Sequence, residues 1–420
     1  VMAKRKFKLP GVEDLNKDQD RVLRLPEDGQ FLIVGGPGTG KSVVALLRAM
    51  KFSNGNDYIF LTYNRVLSSA TDQLTQALHS NTLLRFFNKK LRDSLKPIRE
   101  KLKQDEDGNK EQIQNCNSIL IKNFGHDYKK IDKFLQDNNF ELTETTRHLI
   151  VDEGQDMPPD YYERLMDFGY ENFFIVADQN QQLEADENSS REELSNILGL
   201  EVEDVIELKE NYRNTYIIAL WAMYFYTDIS SPPPKLPPKD RKGGVPILYQ
   251  YKDFKRCIEF ILREADRDLS NLIGVVVAKT TILEICKREL ESMEIELDNE
   301  KPRIQSYKSG QAVEIDFGEG GIVVLNANSI KGLEFDVVFV MLNGFEIYNN
   351  DEDSMRKKLY VISSRAIKKL VFFNSGKNAV EQIFPDKDIF PDEKIPKYEK
   401  EYKDEHIYPN TKILSRKELG

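Results

Sequence analysis

The chain has 420 residues, 40% of them apolar and 31% charged, a balance typical of a folded rather than a disordered protein. Its net charge of -10 excludes a protein that coats nucleic acid over its whole surface, but leaves room for a local basic groove. No run approaches the ~18 consecutive apolar residues of a membrane span. No apolar run follows the basic start at Lys4-Arg5-Lys6, so no secretory leader is expected. Cys116, Cys257 and Cys286 are too far apart for a zinc ribbon or a disulfide framework and fit a cytoplasmic protein. His79, His126, His148 and His406 show no metal-ligand spacing.

In chain order, the first half alternates short β-rich apolar runs with polar, helix-like segments, which is the pattern of an α/β fold. Strands are expected at 31–34, 58–62, 148–151 and 173–177. Residues 85–140 interrupt the rhythm and read as a helical insertion. Within it, Lys89, Lys90, Arg92, Lys96, Arg99, Lys101 and Lys103 stand against Asp93 and Glu100. Pro97 is expected to break or kink this helix, or to start a second one. Residues 104–111 are acidic and expected to be a loop. A boundary is expected near 205–208. An apolar helix at 215–226 carries Trp221, whose simplest place is the core. A Pro-rich connector at 230–244 leads to a second strand–helix series. Its expected strands are 245–251, 272–278, 321–326, 336–342 and 370–373, with helices at 252–269, 280–293 and 356–366. The resulting division is 1–206, carrying the insertion, then 207–384, then a charged tail at 385–420.

Two motifs carry chemistry. The run 31–34 leads directly into Gly35-Gly36-Pro37-Gly38-Thr39-Gly40-Lys41-Ser42, followed by an apolar helix. This is GxxxxGK[ST] in a strand–loop–helix setting. Its glycines let backbone N–H groups face phosphate oxygens, Lys41 reaches the β- and γ-phosphates of ATP, and Ser42 is placed to ligate Mg²⁺. The second motif ends an apolar strand at Asp152-Glu153-Gly154-Gln155-Asp156. Asp152 suits a Mg²⁺ ligand, directly or through water. Glu153 suits the base that orients and deprotonates an attacking water.

These motifs, with others in order from about residue 15 to 373, resemble a UvrD/Rep-type superfamily 1 helicase. Leu15-Asn16-Lys17-Asp18-Gln19 resembles the Q motif, in which Gln19 would read the adenine edge. Leu61-Thr62-Tyr63-Asn64 resembles motif Ia, which touches the nucleic-acid strand. Val176-Ala177-Asp178-Gln179-Asn180-Gln181 resembles motif III, with Gln181 as γ-phosphate sensor. Leu208-Lys209-Glu210-Asn211-Tyr212-Arg213 resembles motif IV. Residues 327–335, with Lys331, Gly332 and Glu334, resemble motif V, and residues 359–366, with Arg365, resemble motif VI. The resemblance implies two RecA-like P-loop NTPase domains, parallel sheets flanked by helices, with ATP in the cleft between them. Arg213 and Arg365 would act as arginine fingers, Tyr212 would stack on adenine, and Glu334 would tie the ribose or couple nucleotide to nucleic acid.

The chain also departs from that family. The spacings from Lys41 to Asp152 and from Arg213 to Lys331 are short, so full accessory domains are not expected and 85–140 reads as a small remnant of one. Motif III continues Gln182-Leu183-Glu184 without the aromatic pair that stacks on bases, and Asn328 stands where a histidine is usual. Candidate contacts to single-stranded DNA, or to RNA, are Thr62, Tyr63, Asn64, Arg65, Lys89, Lys90 and Arg92. Phe86 and Phe87 either stack on bases or pack inward. Two functions compete: a 3′-to-5′ DNA translocase or helicase, and an ATP-driven switch that regulates a nuclease or another effector protein.

Overall fold

The computed structural model describes residues 15–385 except 53–56, 64, 76–79, 121–126, 139, 141–144, 179–187, 228–234, 242, 309–312 and 377. Gln181, Asn64, the side chain of Arg65, His79, His126, His406 and the expected tail beyond residue 385 lie outside the described residues.

The described strands form two parallel six-stranded sheets. In the first sheet the strands are β1 (Gln30–Gly35), β2 (Tyr58–Thr62), β3 (Ser80–Thr82), β4 (Thr145–Val151), β5 (Tyr170–Ala177) and β6 (Ile206–Leu208). They are ordered β3-β2-β4-β5-β1-β6. Alternate side chains serve opposite faces, as the two-residue period requires. Leu32, Val34, Leu149, Val151, Phe173 and Ile175 join one core, while Ile33, Ile150, Phe174 and Val176 join the other. Both faces are covered, which explains why these strands read as continuous apolar runs.

The helices of this half are α1 (Lys17–Leu23), α2 (Lys41–Met50), α3 (Arg65–Thr75), α4 (Leu83–Leu102), α5 (Lys110–Leu120), α6 (Tyr128–Asp137), α7 (Pro159–Asp167) and α8 (Arg191–Ile197). The insertion is helical as expected, but α4 passes through Pro97 without ending. A proline inside a helix costs about 3 kcal/mol. Leu91, Leu95, Ile98 and Leu102 are all buried on either side of it, and their burial at ~1.5–3 kcal/mol each outweighs that cost. Phe86 and Phe87 are buried too, against Tyr170 and against Tyr161 and Phe168, so they are core residues rather than stacking platforms.

The second sheet contains β7 (Ile247–Gln250), β8 (Leu272–Val277), β9 (Ile304–Ser306), β10 (Gly321–Asn326), β11 (Phe335–Met341) and β12 (Ala366–Asn374). Their order is β7-β12-β11-β8-β10-β9. Helices α9 (Tyr216–Tyr224), α10 (Phe254–Arg267), α11 (Thr280–Ser292) and α12 (Glu352–Ser363) cover it. The helix expected to run to 366 stops at Ser363, because Ala366 already pairs with Phe335 in the sheet. Arg365 therefore sits in the turn between α12 and β12. Trp221 is core, 1% exposed, with Phe225, Phe372 and Phe384 around it. Val66 and Ala70 of α3 pack into this same second core, so the two halves share apolar contacts.

Candidate nucleotide site

Three neighbouring strands, β4, β5 and β1, end side by side, and ligands of parallel sheets gather at such carboxyl ends. β1 hands over to the glycine-rich loop, which turns through Pro37 and Gly38 before α2 starts at Lys41. Gly38 (φ 74°) and Gly40 (φ 87°) are left-handed, where a Cβ is disfavoured. Space is missing as well. A Cβ on Gly38 would lie 2.5 Å from Asn211 Oδ1, and one on Gly40 would run into the Gln19 amide. Thr39 Oγ1 donates to Gly36 O at 2.8 Å and braces the loop from inside. Gln19 braces it from below: Nε2 donates to Thr39 O at 3.1 Å, while Oε1 accepts from Asn16 N at 3.2 Å. Gln19 thus ties the loop to the N-cap of α1.

Lys41 Nζ donates to Gly35 O and Gly36 O, both at 2.8 Å, and pairs with Asp178 Oδ2 at 3.1 Å. Asp178, fully buried beyond the end of β5, received no role from sequence. Its contact makes it the ion-pair partner of Lys41 in this structure.

Asp152 and Glu153 follow β4 and are 2% and 4% exposed. Burial, with the Glu153 charge beside it, pushes the Asp152 carboxyl up to about 7, against a hydrogen bond from Ser42 and the Lys41 charge. Burial also works to raise Glu153, but Lys331, Arg365 and Lys41 together hold it below its ordinary value. Glu153 sits at φ 59°, ψ 45°, a left-handed conformation that costs a non-glycine residue about 1–2 kcal/mol. Gln155 fixes it there: Nε2 donates to Glu153 Oε2 at 2.7 Å and Oε1 accepts from Asp178 N at 2.8 Å. The Ser42–Asp152 contact fits Mg²⁺, which takes one or two protein ligands and otherwise water and phosphate oxygens. Among the described residues no larger cluster of metal-ligating side chains occurs, and Mg²⁺ needs none.

Residues 211–214 form a strap between the halves. Tyr212 N donates to Gly38 O at 2.7 Å on one side. On the other, Asn214 Nδ2 donates to Ser364 O at 3.0 Å and to Ala366 O at 2.6 Å. Asn211 Oδ1 holds the turn by accepting from Arg213 N at 3.0 Å and Asn214 N at 3.2 Å. Arg213 Nε donates to Glu334 Oε1 at 2.7 Å, while its buried Nη1 has no hydrogen-bond partner among the described residues. Glu334 thus holds an arginine here. Arg365, 1% exposed, lies within electrostatic reach of Arg213, Glu153, Asp178 and Glu334. Burial and Arg213 lower its pKa, but a guanidinium stays charged. Tyr212 is exposed, with its hydroxyl accepting from Asn16 Nδ2 at 2.6 Å, so its ring lies beside the loop. Gly332 is left-handed, φ 77°, in the turn before Glu334.

Lys331 forms a buried ion pair with Asp156, both side chains 2% exposed, and its Nζ lies 5.4 Å from the Tyr63 ring centre. This link between the halves was hidden in sequence because its members are distant in the chain. Thr62 is buried with its Oγ1 unpartnered among the described residues, and Tyr63 is 36% exposed. Lys89 and Arg92 lie on exposed parts of α4, whereas Lys90 packs over Tyr170 at 5.0 Å. The structure therefore gathers Lys41, Ser42, Asp152, Glu153, Arg213, Glu334 and Arg365, and leaves the α4 cations apart from them.

Residues 29–225 match the family described as Schlafen group 3, DNA/RNA helicase domain. Among solved structures, the C-terminal domain of a "possible" DNA helicase from Lactobacillus strain WCFS1 is similar over 40% of this chain and 91% of that chain, at 18% identity and a TM-score of 0.29. No curated protein matches.

Proposed function

We propose that this helicase-like chain is an ATP-driven nucleic-acid motor of the UvrD/Rep kind, with residues 1–206 and 207–384 as its two RecA-like domains, apart from Glu207 and Leu208, whose strand β6 completes the first sheet. The observation that carries this reading is the convergence on Glu153 of cations from both halves, Lys41 from one and Lys331 and Arg365 from the other. Lys41 would exchange Asp178 for the β- and γ-phosphates. Ser42 and Asp152 would hold Mg²⁺, which when bound neutralises phosphate oxygens. Glu153, ionised and fixed by Gln155, would take a proton from the attacking water, and the proton leaves with the product phosphate. Arg213 and Arg365 would meet the negative charge on the transferring group. Closure on ATP and reopening after hydrolysis would step the chain along single-stranded DNA, 3′ to 5′.

The test is ATP turnover with and without a single-stranded oligonucleotide, in wild type and in Glu153→Gln. Strong stimulation that fades with salt is expected. Glu153→Gln should lose a factor of about 10²–10⁴ in turnover while still binding ATP. Normal turnover in that variant removes the catalytic assignment. Turnover indifferent to oligonucleotide points instead to a nucleotide switch acting on an effector protein.

A further inference from the structure

Arg85, Lys89, Arg92, Lys96, Arg99 and Lys103 recur every three or four residues along α4 and its end. At 3.6 residues per turn they fall within about 80° of one face and extend along ~27 Å of helix. All are exposed except the half-buried Arg99. The opposite face is the buried one, through Phe87, Leu91, Leu95, Ile98 and Leu102. The stripe is therefore a rigid row of charge rather than a set of loose tails.

The row is regular and lacks counter-charge. Many surface cations elsewhere sit against carboxylates, among them Arg256 with Glu259, Lys287 with Glu291, Lys308 with Glu284 and Lys357 with Asp353. Among the described residues none of the six α4 cations has an ion-pair partner, although Asp93 and Glu100 share the helix. Arg92 makes one side-chain bond, to its own helix at Asn88 O, and Arg99 Nε has none. In a chain of net charge -10, six unpaired cations in line amount to a local reversal of sign.

The row also begins at a telling place. α4 follows β3, which pairs with β2, and Tyr63 follows β2 at the same carboxyl end of the sheet. The face carries no aromatic ring, since Phe86 and Phe87 are buried. One cation per turn, about every 5.4 Å, suits the regular charge of a polyphosphate better than scattered carboxylates.

We propose that the exposed face of α4 is a track for the sugar–phosphate backbone of a nucleic-acid strand beyond the nucleotide cleft, held by charge alone and blind to sequence. This rests on the motor reading above and adds to it a second, base-independent contact.

The test is anisotropy titration of labelled oligo-deoxythymidine, of an abasic deoxyribose-phosphate oligomer and of duplex DNA across a salt series. The variant is Lys89→Gln/Arg92→Gln/Lys96→Gln. The control is Lys287→Gln/Arg288→Gln/Lys308→Gln, which removes equal charge from another surface. Each removed phosphate contact lowers the single-strand salt slope by ~0.7, so the α4 variant should lose ~2 from its slope and bind at least about tenfold more weakly at moderate salt, with the control unchanged. The loss should be equal on the abasic oligomer. A wild-type slope in the α4 variant or an equal loss in the control overturns the track. Wild-type ATP turnover, measured alongside, separates the readings. An active wild type with a full-strength α4 variant loses only the track. A wild type that neither turns over ATP nor binds a strand loses the motor and the track together.

Discussion

Replacing Lys331 by Met tests the link between the halves. Lys331 and Asp156 are each 2% exposed and paired. The substitution keeps most of the volume and removes the charge, leaving Asp156 without its cation. Breaking one partner of a buried pair costs about 3–5 kcal/mol. Loss of the contact with Tyr63 adds about 0.5–1 kcal/mol. At ~2–4 °C per kcal/mol for a half of this size, the melting temperature should fall by about 10 °C. The loss should depend on pH. Burial already raises Asp156 to about 7 against the opposing Lys331 charge, so without Lys331 the carboxyl rises further. A carboxyl raised on folding is penalised increasingly as pH climbs from its unfolded value towards its folded one. In the variant that window extends above 7, so its deficit relative to wild type should widen between pH 6 and pH 8. Thermal melts at several pH values measure this. Lys331→Met/Asp156→Leu should recover most of the loss. A single variant melting within about a degree of wild type, or a double variant no better than the single, refutes the argument.

Other substitutions probe the site and the core. Arg365→Ala should reduce turnover by a factor of about 10³ or more with nucleotide binding nearly intact, measured by single-turnover kinetics and a fluorescent nucleotide; unchanged turnover in a folded variant removes its role. Gly38→Ala places a Cβ against Asn211 and Arg213 in a left-handed turn, so nucleotide affinity should fall by more than tenfold on equilibrium titration. Trp221→Ala should cost about 3–5 kcal/mol by urea unfolding, because its ring is enclosed by Phe225, Phe372 and Phe384.

Much of the fold was legible because its strands are buried on both faces. The run from Leu272 to Val277 is buried at every position and could hardly read as anything else. The short edge strands β3 and β9 were not legible, since Ser80–Thr82 is half-buried and polar and is fixed by pairing with β2. At Pro97 local propensity opposes a continuous helix, and only tertiary burial carries α4 through it. In the site, Lys41, Asp152 and Glu153 are spelled out by contiguous residues. The partnerships of Asp178 with Lys41, Glu334 with Arg213 and Lys331 with Asp156 join distant segments, which no local pattern records.

The four-residue strap at 211–214 has a mechanical consequence. Four residues reach at most ~14 Å when extended, and this segment is instead folded on Asn211 and bonded at both ends, to Gly38 and to Ser364 and Ala366. The two halves therefore have little slack here. Any opening of the cleft that exceeds it must release one set of bonds, either those of Tyr212 to Gly38 and Asn16 or those of Arg213 to Glu334 and of Asn214 to Ser364 and Ala366. The cleft then has a small number of discrete apertures, set by which end lets go, and Arg213 travels with whichever half keeps hold.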